Sequence, residues 1–203
     1  MNTQEMIKRL FLSIAISLAA LIAGTSSGTA AVTRCDGQLA SGTYDAVLVS
    51  KGKTCLVDVG VIVEQNVIVQ EGASLATANA LTVNGNLLGN GVNSVLIIGG
   101  GNSIHGNVSI TGAKGEVFLD HVTIGGNLNI SNSNVGGIAV GASQVAGNAL
   151  FQNNTTSSFG IVTTVIFGNL VCNGNDPAPE LVVNTVSGQT IGQCELPQRR
   201  LQK

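Results

Sequence analysis

Tryptophan is absent from this chain of 203 residues, and aromatic side chains of all kinds make up only 3% of it. A single large globular core normally recruits more aromatic side chains, because each one buries a large area. Charged residues are also scarce, at 10% against about 25% in typical globular proteins. We therefore expect a core built from Val, Ile and Leu repeated in small layers.

Several functional classes are excluded by missing motifs. The chain has no basic stripe, and a nucleic-acid partner is therefore not expected. No CxxC-like spacing is present, so no zinc site is expected, and no GxSxG elbow offers a nucleophilic serine. No cofactor and no metal are predicted. Apart from the N-terminus, no apolar stretch is long enough to cross a bilayer.

The N-terminus is typical of an export signal. Lys8 and Arg9 form a positive region, and the apolar run 10–24 and a small-residue stretch that ends at Ala30 and Ala31 follow it. We predict a signal peptide over residues 1–31, with an uncleaved membrane anchor as the alternative. Removal of this segment leaves 10 acidic and 7 basic residues, a net charge of −3. The expected location is secreted, or periplasmic or extracellular in a bacterium.

The rest of the chain is dominated by a repeat of 20–21 residues. Gly-Asn pairs begin at Gly85, Gly106, Gly126, Gly147 and Gly168, in steps of 21, 20, 21 and 21. Gln65-Asn66 and Gly188-Gln189 continue the series to seven occurrences. A fixed period of this length indicates a stacked repeat architecture.

Four apolar columns share the same period. Two residues before each marker the side chain is always β-branched: Val63, Val83, Ile104, Ile124, Val145, Ile166 and Val186. The mid-repeat columns are predicted as Leu96, Val117, Ile138 and Phe159, and as Ile98, Leu119, Val140 and Ile161. A fourth column follows each Asn: Val67, Leu87, Val108, Leu128, Ala149 and Leu170. Within each unit apolar and small or polar residues alternate, which is typical of strands.

These patterns predict an all-β fold, a single-stranded right-handed parallel β-helix (solenoid) of about seven rungs, because crossovers between parallel strands are almost always right-handed. We assign residues 32–62 to an N-terminal cap and first rung. Residues 63–194 form the β-helix, and residues 195–203 form a disordered tail.

The Gly-Asn pairs are predicted to mark a corner where the chain turns between sheets, since Gly and Asn tolerate unusual backbone angles. Stacking would then align the asparagines in one hydrogen-bonded ladder. The ladder comprises Asn66, Asn86, Asn107, Asn127, Asn148 and Asn169. The alternative is a solvent-facing column that binds a polar ligand.

The four cysteines fit the rung spacing. Cys35 and Cys55 are 20 residues apart, and Cys172 and Cys194 are 22 apart. Residues one rung apart lie about 4.8 Å from each other, within the range that a disulfide accepts. We predict the pairs Cys35–Cys55 and Cys172–Cys194, each of which clamps one end of the stack.

The stretch GNLVCNGNDPAPELVVNTVSGQTIGQC, from Gly168 to Cys194, resembles the ending of a family of small exported bacterial proteins of uncharacterised function. The shared pattern is GNLxC, NxPxP, NxVxG and a final GQC. The front, CDGQLASGTYDAVLVSKGKTC, resembles the Cys-flanked start of the same family. The resemblance implies a right-handed parallel β-helix and export, and it brings no catalytic residues.

The best candidate for chemistry is a surface patch in the middle of the chain. It comprises His105, Lys114, Glu116, Asp120 and His121. It is interpreted either as an acid–base or sugar-contacting patch or as an ordinary solvated face. Glu116 and Asp120 are the only acids between Gly72 and Asn175, and their outward side chains are about 13 Å apart by strand rise.

Two functions stay open on the sequence alone. The leading one is an exported non-catalytic structural or surface-interaction protein, a disulfide-capped β-helix rod. The alternative is a carbohydrate-binding or polysaccharide-cleaving β-helix, such as a lyase or hydrolase, which would need clustered carboxylates. The sequence names no partner, and a polysaccharide or a cell-envelope component are the two candidates.

Overall fold

The computed structural model describes residues 31–195, which contain 27 β-strands and no helix. The predicted signal peptide except Ala31, and the predicted tail except Glu195, lie outside the described residues. The strands form three long sheets, named A, B and C here, and a two-stranded sheet D. Every strand pairing joins parallel strands of successive turns, which confirms the predicted parallel β-helix.

Sheet A has nine strands: Val32–Cys35, Ala46–Val49, Val67–Val69, Leu87–Asn90, Val108–Thr111, Leu128–Ser131, Ala149–Gln152, Leu170–Asn173 and Thr190–Gly192. Sheet B has eight: Gln38–Leu39, Thr54–Val57, Ser74–Thr77, Ser94–Ile97, Glu116–Asp120, Gly137–Gly141, Phe159–Val162 and Glu180–Val182. Sheet C has eight: Gly42–Tyr44, Val61–Val63, Thr82–Val83, Asn102–Ile104, Val122–Ile124, Gln144–Val145, Val165–Ile166 and Thr185–Val186. Sheet D pairs Asn134–Val135 with Thr155–Thr156.

The chain passes through sheets A, B and C in that order and makes about eight turns. The first turn begins at Val32, so the segment assigned to a cap and first rung contributes strands to all three sheets. Tyr44 pairs with Val63 and thus extends the β-branched column of sheet C by one turn. The stack is therefore one turn longer than the seven marked by the Gly-Asn repeat.

The core consists of aliphatic columns that run along the inside of the stack. The β-branched column is buried from Val63 to Ile166, and Val186 at the C-terminal end is partly buried. The only close aromatic pair in residues 31–195 is Phe151 with Phe159, whose ring centroids lie 5.3 Å apart in an edge-to-face arrangement. This core therefore uses shape-matched Val, Ile and Leu layers, as the composition predicts.

One part of the predicted register is wrong. Val95 and Ile97 are buried and pair with Val117 and Leu119, whereas Leu96 faces outward and Ile98 is exposed. The step from Val95 to Val117 is 22 residues, and therefore a strict period of 21 points to the wrong member of the run Val95–Ile98. The other predicted columns have the expected register.

The Gly-Asn pairs do mark a corner, but the prediction that they supply unusual backbone angles there is wrong. Their glycines do not have positive φ angles; those angles occur at the other two corners. Between sheets A and B the stacked left-handed residues are Gly52, Gly72, Gly91, Gly112, Asn132, Asn153 and Gly174. Between sheets B and C they are Gly60, Ala80, Gly101, His121, Ala142, Thr163 and Val183.

Close packing requires glycine at the Gly-Asn corner. A Cβ atom built on Gly106 would lie 2.6 Å from both Asn86 Oδ1 and the carbonyl oxygen of Gly85. The same clash recurs at Gly147, Gly168 and Gly188. Glycine therefore leaves room for the amide of the preceding turn, and this is a steric requirement of the ladder itself.

Both predicted disulfides are present. Cys35 and Cys55 have Cα atoms 5.4 Å apart, and those of Cys172 and Cys194 are 5.2 Å apart. Each disulfide joins adjacent turns, the first near the N-terminal end of the stack and the second at its C-terminal end. No helix within residues 31–195 is long and apolar enough to cross a membrane.

Candidate functional site

The five residues of the predicted patch are spread over different corners. Glu116 begins the fifth sheet-B strand, Glu116–Asp120, and Lys114 comes just before it, whereas Asp120 and His121 lie at its end. His105 follows the sheet-C strand Asn102–Ile104, at the corner that contains Gly106. Of the five, only Asp120 and His121 are joined by a side-chain hydrogen bond. The structure therefore places these residues on the outer surface but does not bring all five into one site.

Asp120 and His121 form an exposed pair at the corner between sheets B and C. Asp120 Oδ2 lies 2.8 Å from His121 Nδ1, and the side chains are 45% and 57% exposed. His121 has a φ of 55°, a left-handed conformation that turns the chain into the next strand. The residues stacked above Glu116 and Asp120 are Gly137 and Gly141, so no second carboxylate lies there. This geometry supplies one acid–imidazole pair rather than two opposed carboxylates.

A different charged cluster lies at the corner between sheets A and B. Lys51 Nζ is 2.7 Å from Glu71 Oε2, and both side chains are well exposed. This hydrogen bond, together with the charges of Lys51 and Lys114, lowers the pKa of Glu71 below its ordinary value. Lys114 thus acts on Glu71, two turns away along the stack, and this cluster could not be recognised from the sequence spacing.

Beside this cluster, the outer face of sheet A has a groove of about 670 Å³, within the range of about 300–1,000 Å³ typical of ligand sites. Its lining residues are Lys51, Ile68, Val69, Gln70, Glu71, Leu88, Gly89, Asn90, Ser109 and Thr111. One outward column of sheet A carries Ile68, Leu88 and Ser109, and the next carries Asn90 and Thr111. The groove therefore combines an aliphatic row with a polar row.

The asparagines of the Gly-Asn corner form a continuous ladder. Each Oδ1 from Asn66 to Asn148 accepts a hydrogen bond from the backbone N–H of the next asparagine, at 2.8–2.9 Å. From Asn66 to Asn127 it also accepts the next side-chain amide, at 3.0–3.3 Å. Asn169 Oδ1 accepts the N–H of Gln189 at 2.8 Å. These amides face water, but their oxygens are occupied by the stack.

Two further polar ladders, which sequence reasoning missed, lie inside the other corners. Asn154 is fully buried, accepts the N–H of Ser133, and donates to the carbonyl of Ile130 and to Asn175 Oδ1. Gln193 ends this ladder by accepting from Asn175 and donating back to its carbonyl. Between sheets B and C the equivalent residues are Asn102, Ser143, Thr164 and Asn184.

Two buried side-chain oxygens in residues 31–195 have no hydrogen-bond partner, Ser50 Oγ and Asn129 Oδ1. Ser50 precedes Lys51 at the edge of the groove, and Asn129 pairs in register with Ser109 on its floor. The described part of the chain contains no group of three or more His, Cys, Asp or Glu side chains that could hold a metal ion. Protein-family models, curated proteins and solved structures provide no match to this chain.

Proposed function

We propose that this protein is an exported, non-catalytic structural or surface-interaction protein, a β-helix rod that presents ordered side-chain columns. One observation carries the proposal: a single hydrogen-bonded stack runs from Val32 to Gly192, with a disulfide across adjacent turns near each end. Such disulfides form and persist in oxidising compartments. Each one closes the edge turns, where a solenoid is most easily opened.

The hydrogen bonds of the polar side chains at the corners support this proposal. Amide and hydroxyl side chains at all three corners are committed to bonds between turns. Such bonds stabilise the stack and fix the spacing of the outer columns at about 4.8 Å per turn. A surface with this fixed repeat suits contact with another repetitive surface, such as a polymer of the cell envelope.

The second candidate is a carbohydrate-binding or polysaccharide-cleaving β-helix. The hydrogen-bonded pair of Asp120 and His121 favours it, together with the outward ring of Phe118 on the same strand. Phe118 lies against Gly137, where a built Cβ atom would come within 3.0 Å of its ring. An aromatic ring beside a glycine gives a flat surface, on the same strand as Asp120.

Two measurements test the proposal. In cells that express the full chain, we expect the protein outside the cytoplasm, with an N-terminus at or next to residue 32 and no free thiols. In a depolymerisation screen with the purified exported protein, we expect no cleavage of any polysaccharide. Cleavage that is lost in Asp120→Asn but kept in Glu116→Gln would overturn the non-catalytic role and establish the second candidate. Retention of the protein in the cytoplasm would overturn export.

A further inference from the structure

The groove on the outer face of sheet A differs from the rest of the surface in its unused hydrogen-bonding capacity. The side chains of Asn90 and Ser109 make no hydrogen bond to another described residue, whereas the corner asparagines are tied into ladders. Gln70 uses only its Oε1, which accepts from the N–H of Lys51 at 3.0 Å, and its amide N–H groups make no bond to the part of the chain that the structure describes. Donors and acceptors on the groove floor are therefore available to a ligand.

An aliphatic row runs beside these polar groups. Ile68 and Leu88 are 43% and 38% exposed, in adjacent turns of one outward column. Asn90 and Thr111 are likewise paired in adjacent turns of the neighbouring column. Successive turns are about 4.8 Å apart, so both rows repeat along the stack axis at the same interval. The groove thus matches a ligand that has a repeating apolar face and a repeating polar edge.

The two charged residues that line the groove do not favour an ionic polymer. Lys51 and Glu71, which line one side, neutralise each other at 2.7 Å. An extended peptide gains its main affinity from backbone hydrogen bonds at a sheet edge, whereas this groove lies on a sheet face. Sugar rings have C–H faces that pack on aliphatic side chains, and hydroxyl groups that pair with amides and hydroxyls.

We propose that this groove binds a neutral polysaccharide strand that lies along the stack axis. The sugar rings pack on Ile68 and Leu88, and their hydroxyl groups bond to Gln70, Asn90 and Ser109. This inference rests on the proposed surface-interaction role and names the partner class for it. It places binding on sheet A, on a different sheet from the Asp120–His121 pair on sheet B.

The test is binding of the purified exported protein to an array of neutral oligosaccharides, followed by titration with the best ligand. Asn90→Ala and Leu88→Ser remove one polar and one apolar contact from the groove. Gln152→Ala and Leu150→Ser are matched controls, because they lie in the same two outward columns but outside the groove. Thermal melts of all four variants verify that the stack is intact.

We expect each groove variant to weaken binding about three- to tenfold, as the loss of one contact does, and each control to bind as the wild type. Affinity should be nearly independent of salt, because no ion pair forms with a neutral ligand. Binding that survives both groove variants would overturn this inference while leaving the surface-interaction role in place. Binding only to anionic polymers, lost with added salt, or binding to no neutral glycan, would also overturn the inference.

Discussion

Gly126 lies directly over the side-chain amide of Asn107, so that a Cβ atom built on Gly126 would lie 2.5 Å from Asn107 Oδ1. We expect Gly126→Ala to destabilise the protein by about 1–3 kcal/mol, because the added methyl group must displace the ladder or the backbone. Gly100→Ala is the control, since nothing lies within 4 Å of its Cβ position. Urea unfolding of both variants measures the difference in stability, and equal midpoints would contradict the steric explanation.

The Asn ladder predicts unequal effects of removing asparagines from the middle and from the start. Asn127→Ala loses two bonds accepted from Asn148 and one donated to Asn107. Asn66→Ala loses only the two bonds accepted from Asn86. At about 0.5–1.5 kcal/mol for each bond, Asn127→Ala should lower the free energy of unfolding more. Paired urea melts measure this, and small, equal losses would mean that water replaces the amides without cost.

The buried ladder should be more sensitive than the exposed one. Asn154→Ala leaves the buried Ser133 N–H without its partner and removes the side-chain bonds to the Ile130 carbonyl and to Asn175. One buried orphan costs about 1–3 kcal/mol and each lost bond about 0.5–1.5 kcal/mol, so a loss of at least about 2 kcal/mol is expected. Asn134→Ala, at an exposed site that makes no side-chain hydrogen bond with a described residue, is the control. Thermal melts in which the two variants behave alike would rule out a stabilising role for Asn154.

The disulfides should contribute independently to stability because they lie at opposite ends of the stack. Loops of 20 and 22 residues imply about 3 kcal/mol for each bond in the loop-entropy treatment. We expect the double substitution Cys35→Ala with Cys55→Ala, and the equivalent one at Cys172 and Cys194, to have additive effects in urea. Non-reducing peptide mapping checks the pairing, and a peptide that links Cys35 to Cys172 would contradict it.

The Lys51–Glu71 pair predicts a specific response to pH. Its partners hold the pKa of Glu71 below the ordinary value, so the folded state favours the carboxylate. The resulting stabilisation is present above the ordinary carboxyl pKa and is lost as the pH falls through the lowered one. In Lys51→Ala, an NMR titration should show that the pKa of Glu71 moves up towards its ordinary value, and Lys53→Ala should leave it in place. An unchanged pKa in Lys51→Ala would assign the shift to another group.

The repeat spacing was sufficient to predict the fold, because one β-branched residue per turn fixes the sheet-C column. The prediction failed at Leu96 and Ile98. Val95–Ile98 are four consecutive apolar residues, so the alternation of apolar and polar residues does not indicate which of them face the core. The positive φ angles of Thr163 and Val183 were also not predictable, since these residue types rarely adopt them.

The sites were less accessible to sequence reasoning than the fold. Buried polar residues such as Asn154 and Ser143 resemble loop residues in the sequence, and only the stacking shows that they bond across turns. The groove depends on the relative lengths of side chains from three turns, with Gln70 and Leu88 beside the shorter Ser109. The predicted patch around Glu116 is defined by charge alone, and the charge of a residue does not indicate at which corner of the turn it lies.

The Gly-Asn corner makes the turn an interchangeable unit of length. Deletion of residues 127–147 would join Gly126 to Asn148, restore a Gly-Asn pair and leave Asn107 beneath Asn148 with the same ladder contacts. The sequence within one turn therefore determines the cross-section of the stack, and the number of turns determines its length. Duplication or loss of whole turns can change the length of the stack and leave the cross-section and the two disulfide-closed ends unchanged.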